Sequence, residues 1–132
     1  MSDAMQVLQA AMVSALAAHP VLRDILTGVY DGPPPRAALP YIAINDGLTT
    51  DWSTKTATGR EVRLALTLWD DGEEPTRLVR LMGHAEDAMA ALARDLPGWR
   101  IAGLVFVRSM VVRDPTGPWA GLVEHRVRML AT

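Results

Sequence analysis

Between Arg60 and Asp70 the chain alternates without interruption: Val62, Leu64, Leu66 and Leu68 point one way, and Arg63, Ala65, Thr67 and Trp69 the other. A period of two held over that length does not fit a helix, so the segment predicts a strand with one covered face. The cover comes from segments with helical spacing. From Asp3 to Ala18, residues Met5, Leu8, Ala11, Met12, Ala15 and Leu16 recur at three- and four-residue steps, with Ser2 or Asp3 as N-cap and His19-Pro20 as the stop. Val21 to Leu26 adds a further helical turn ended by Gly28. A second main helix follows Asp70-Asp71-Gly72-Glu73-Glu74-Pro75 and is expected to run to about Asp95. Its core stripe is Leu78, Leu81, Met82, Ala85, Met89 and Leu92, and Pro97-Gly98 closes it.

Three more strands complete the pattern. Pro40 to Asp46 is a short one, with Ile42 and Ile44 toward the core. Trp99 to Arg113 and Trp119 to about Leu130 flank Asp114-Pro115-Thr116-Gly117-Pro118, where proline presets a turn and glycine accepts positive φ, so the two form a hairpin. Gly32-Pro33-Pro34-Pro35 lacks the backbone donors of a ladder and reads as a stiff loop, and Leu48 to Gly59 reads as a long exposed loop carrying Trp52. The order α-β-β-α-β-β predicts an α+β fold: a mainly antiparallel sheet of about four strands with two main helices packed on one face. At 132 residues the expectation is a single domain over 1–132.

Composition narrows the function. Without cysteine there is no disulfide, thiolate nucleophile or sulfur ligand for zinc. A formal charge of −2 leaves no basic excess to drive counterion release from nucleic acid, and no continuous apolar stretch reaches membrane-span length. No leader pattern stands at the start of the chain, so synthesis in a bacterial cytoplasm is the expectation. Alanine and arginine abound while Lys55 is the lone lysine, a bias of GC-rich coding.

The residues that carry chemistry form no catalytic constellation. His19, His84 and His125 lack metal-ligand spacing, and His125 falls in phase with Val123, Val127 and Met129 as a satisfied, partly buried residue. Asp70, Asp71, Glu73 and Glu74 fit the positive end of a helix dipole better than a calcium loop. Ser14, Ser53 and Ser109 lack nucleophile-elbow glycines. No enzyme activity, cofactor or metal is expected. The competing reading is a small cytosolic enzyme that uses His84 or His125 with a carboxylate. Glu124, Arg126 and Arg128 share the outer face of the last strand, as a solvated surface or a pairing surface between subunits. Trp52 either folds back on the body or anchors a partner.

Several short runs resemble a known group: Pro40-Tyr41-Ile42-Ala43-Ile44, Asp51-Trp52-Ser53-Thr54-Lys55-Thr56 with Gly59-Arg60-Glu61, Leu68-Trp69, and Arg113-Asp114-Pro115 with Trp119 and Gly121. In order and spacing they are similar to phage tail completion or tail terminator proteins, small ring proteins of siphophages and gene transfer agents. The resemblance implies a homohexameric ring on the head-proximal end of the tail tube. Such a ring halts tube polymerisation, contacts the tail tube protein and the head–tail connector or neck protein, and lets DNA pass without specific binding. The implied location is a phage-like particle. Another neck or tail-tube ring subunit of the same particle is the alternative role. The subunit or tube interface is expected at Asp51, Trp52, Ser53, Thr54, Lys55, Thr56, Arg60, Arg113, Asp114 and Trp119, with open strand edges as a further contact between copies.

Overall fold

The structure, a computed structural model, describes residues 3–34, 36–113 and 115–132. Along the chain it runs α1 (Ala4–Ala18), α2 (Pro20–Ile25), β1 (Val29–Asp31), β2 (Tyr41–Ile44), β3 (Leu48–Asp51), β4 (Gly59–Asp70), α3 (Thr76–Ala90), β5 (Asp95–Leu96), β6 (Trp99–Arg113) and β7 (Trp119–Ala131). The alternating segment is β4, and Val62, Leu64, Leu66 and Leu68 are all buried as their phase requires. Asp3 caps α1 by accepting from the Met5 amide at 2.7 Å. His19 Nδ1 accepts from the Leu22 amide at 3.4 Å at the start of α2, so the break at His19-Pro20 is also a cap.

The expected sheet of about four antiparallel strands is wrong. Among the described residues the sheet has seven strands and is mixed, in the order β1-β2-β4-β7-β6-β5, with β3 beside β4. The parallel pair is β1 with β2, where Val29 lies opposite Ile42. The proline-rich segment between them spans the crossover that a parallel pair needs. The three added strands escaped the pattern for simple reasons. β1 and β5 are too short to show a period. β3 is exposed throughout and joins the ladder without burying a side chain, from Leu48 opposite Arg63 to Asp51 opposite Arg60. The expected loop from Leu48 to Gly59 therefore begins as strand β3 and continues as a tight connection into β4. The second main helix is also shorter than expected, ending at Ala90. There Arg94 turns back so that its guanidinium donates to the carbonyls of Leu92 (2.7 Å) and Ala90 (3.4 Å).

One apolar cluster lies between the helices and the sheet. Leu8, Met12 and Leu16 of α1 and Leu78, Leu81 and Met89 of α3 meet Ile42, Ile44, Leu66, Leu68, Val123 and Val127. Helix α3 sits close on β7 because position 121 is glycine: a Cβ there would stand 2.5 Å from Met82 Sδ and 3.1 Å from Leu78 Cδ1. Two polar ties hold the end of β4. Asp70, 1% exposed, accepts from Arg77 Nε at 2.9 Å and from Nη2. Trp119 Nε1 donates to the Gly72 carbonyl at 3.0 Å. The acidic run was expected to complement the helix dipole, yet the first turn of α3 contains no acid and Pro75 makes no side-chain cap. Asp70 instead serves a single arginine, whose hydrogen bonds hold its carboxyl below the ordinary range against the opposing effect of burial.

Candidate functional site

The residues expected at an interface fall into two groups. The first is the hairpin that joins β3 to β4. Its geometry follows from small polar side chains that stand in for backbone partners. Ser53 Oγ donates to Asp51 Oδ1 at 2.6 Å and accepts from the Gly59 amide at 3.0 Å. Thr54 Oγ1 accepts from the amides of Ala57 at 3.1 Å and Thr56 at 3.4 Å. Arg60 closes the stem with a 3.0 Å bond to Asp51. Glycine is required at 59, where a Cβ would come within 2.3 Å of the Trp52 carbonyl oxygen. Trp52 folds back on the sheet, with the Arg128 guanidinium 5.3 Å from its ring centre, and is partly exposed. Lys55 is exposed.

The second group is at the start of β7. The Arg113 guanidinium lies 4.6 Å from the centre of the Trp119 ring. Asp114 lies outside the described residues. The register places Arg60 opposite Met129 and Asp70 opposite Trp119, so the two groups stand at opposite ends of β4. Ten residues of strand put them roughly 34 Å apart. They do not converge on one site.

A third surface was missed. Past Ala102, β6 leaves the cover of the helices: Val105, Phe106, Val107, Met110, Val111 and Val112 are 38–50% exposed, and the apolar residues occupy both faces of the strand. Val105, Met110 and Val112 lie opposite Arg126, Leu122 and Ala120, while Phe106 and Val111 lie opposite His125 and Gly121. The sequence signal was the lack of alternation in Leu104-Val105-Phe106-Val107 and Met110-Val111-Val112. Such runs belong to strands covered on both sides.

The remaining polar groups are mostly engaged. On the outer face Glu61 accepts from Arg128 at 2.9 Å, and this bond leads the effects that lower its pKa; Arg108 reaches Glu124 at 2.8 Å. The rings of His19 and His84 are 5.2 Å apart, in contact between helices. His125 departs from expectation. It is fully buried, edge-on to Phe106, and its Nδ1 has no hydrogen-bond partner, so burial pushes its pKa down. Among the described residues no three His, Cys, Asp or Glu side chains gather to hold a metal ion.

Exposed apolar surface on a long hairpin and ordered polar turns at the far end define a protein whose surfaces are built for contact. The comparisons give that class a family. The family model of tail completion protein gp17 matches residues 10–130, so the chain belongs to the tail completion protein gp17 family and is a structural tail protein of a virion. A chain in the virion of the native gene transfer agent (GTA) particle is similar at 25% identity and a TM-score of 0.85, covering 99% of this chain and 100% of that one. The gp17 protein of bacteriophage SPP1 shares the fold at 21% identity and a TM-score of 0.63, covering 94% of this chain and 89% of that one. No curated protein sequence matches.

Proposed function

We propose that this chain is the tail terminator of a phage-like particle, a homohexameric ring that caps the head-proximal end of the tail tube, stops its polymerisation and joins it to the head connector. The observation that carries the reading is the family match over 10–130, together with the full-length likeness to a chain of the GTA virion. The geometry supports it. The hairpin with Trp52 and the Arg113–Trp119 corner stand at opposite ends of the sheet, which gives a ring one contact surface toward the tube and another toward the connector. A net charge of −2 suits a channel through which DNA passes without binding. No step of this work needs a bond made or broken, so catalysis has no part in it.

Deletion of the gene tests the proposal. Electron microscopy of particles from the deletion strain is expected to show tails of irregular length that are not joined to heads. Tails of normal, uniform length on filled heads would overturn the reading. The ends of the sheet are tested separately by Trp52→Ala. The ring lies on the surface under Arg128, so its loss costs the monomer about 1 kcal/mol. Because the same side chain braces a contact hairpin, the yield of joined particles is expected to drop about tenfold or more, and an unchanged yield would remove Trp52 from the interface.

A further inference from the structure

The sheet ends in two dissimilar edges. On one side, β5 covers β6 only at Trp99 and Arg100, and the Ile101 amide is taken by the Arg94 carbonyl; among the described residues no strand lies beside the outer backbone edge of β6 from Ala102 onward. Every charged residue of β6 is basic: Arg100, Arg108 and Arg113. On the other side the edge is stepped: β1 stands outermost beside β2, while the connection Asn45-Asp46-Gly47 and β3 lie one strand spacing further in, beside β4. Every charged residue there is acidic: Asp31, Asp46 and Asp51. Among the described residues Asp31 and Asp46 make no ion pair, and Leu48 is 60% exposed beside them. An apolar, basic edge and an acidic edge on the same molecule are complementary to each other and disfavour pairing with their own kind, which favours a head-to-tail contact over a two-fold one.

Strand direction agrees. β2 and β3 run antiparallel to β4, and β1 runs with β2. β7 is antiparallel to β4 and β6 to β7, so β6 runs with β4. A second copy placed in the same orientation therefore offers β1 and β3 antiparallel to β6, the geometry of a continued sheet. Height agrees as well. Arg108 pairs with Glu124, which pairs with Ala65, and the Ala65 carbonyl accepts from the Asn45 amide at 2.9 Å. Arg108 at one edge and Asn45, the neighbour of Asp46, at the other thus lie on one level.

We propose that β6 of one copy pairs antiparallel with β1 of a second copy, Val111 to Ser109 opposite Val29 to Asp31, which brings Arg108 beside the second copy's Asp31 and sets Val105 at the level of Leu48, one strand spacing further in. Repetition of this contact closes a ring. The inference deepens the reading of the chain as a ring-forming tail protein and rests on it. It gives the open backbone edge of β6 a strand to pair with and sets apolar side chains beside that edge against a neighbouring subunit.

The lack of native cysteine makes the contact directly testable. Leu48 and Val105 share one level, through Arg63 and Arg126, and both are exposed. Particles carrying Leu48→Cys with Val105→Cys, treated with a short bifunctional thiol linker, are expected to show a ladder in multiples of 14.3 kDa on a denaturing gel, absent from either single variant. If the double variant is not incorporated, Thr50→Cys with Gly103→Cys lies two residues lower on the strands and keeps the apolar side chains; a Cβ at Gly103 meets nothing within 4 Å. A chain present in particles that stays monomeric after treatment, or links to a different protein, overturns the edge pairing and leaves the tail role standing. If the unmodified chain is itself missing from particles, the tail role fails instead. The same treatment of the concentrated purified protein then decides the pairing: a ladder upholds it and monomer alone overturns it.

Discussion

Met110→Asp combined with Val112→Asp is expected to leave the isolated protein folded and to abolish joined particles. Both side chains are already in water in the single chain, at 45% and 50% exposure, and neither belongs to the core cluster. Each substitution loses at most a cross-strand contact, with Leu122 or Ala120, worth about 0.2–1 kcal/mol. Thermal unfolding should therefore shift by only a few degrees. In an assembly that covers this strand the arithmetic differs. A carboxylate buried there without a partner costs about 2–5 kcal/mol, a loss of roughly 30- to 4,000-fold in the association constant for each contact. The sign of the charge matters too, because two aspartates offset most of the positive charge of Arg100, Arg108 and Arg113 and weaken the attraction of β6 for an acidic neighbour. Particle yield from a null strain supplied with the variant is the measurement. A yield near that of the unmodified chain would show that this strand stays exposed in the particle.

The extent to which this surface was legible depends on what each residue can report. Alternation in β4 records that one face is wet and the other dry, so its register and buried side could be read directly. The run in β6 records only that both faces prefer cover, and a single sequence does not say whether its own chain or a neighbour provides it. The long strands and the hairpin of β6 and β7 were read nearly to the residue. β1 and β5 were not, because two or three residues show no period, and β3 was not, because backbone pairing that buries no side chain leaves no mark in the pattern. Asp70 illustrates the same limit for charge. A carboxylate before a helix suggests the dipole, whereas its actual partner, Arg77, is set by the turn that brings the end of β4 against α3. The family-like residues Trp52 and Arg113–Trp119 were readable as important but not as separate, since their distance is a property of β4.

Acid is expected to weaken the fold in two distinct steps, each removed by its own substitution. His125 is buried and its folded pKa lies below the 6.5 of an unfolded chain. Between those two values the unfolded chain binds a proton that the folded one refuses, so stability falls as the pH drops below about 6.5 and stops falling at the folded pKa. Each pH unit crossed in that window costs about 1.4 kcal/mol. His125→Leu should flatten this step, and at neutral pH it should be nearly neutral, because the unpartnered Nδ1 contributes no bond to lose. Asp70 gives the second step. Its folded pKa lies below the unfolded value of 3.8, so its contribution is complete above that value and is lost as the pH falls toward the folded one. Asp70→Asn removes the second step by forfeiting the charge-assisted bonds with Arg77 at every pH, about 1.5–3 kcal/mol at pH 7, with the lower end favoured by the 46% exposure of the arginine side chain. Chemical denaturation of the three proteins from pH 8 to pH 2 separates the steps. Retention of the upper step in His125→Leu would mean that another group, and not the buried imidazole between β4 and β6, senses the first protons.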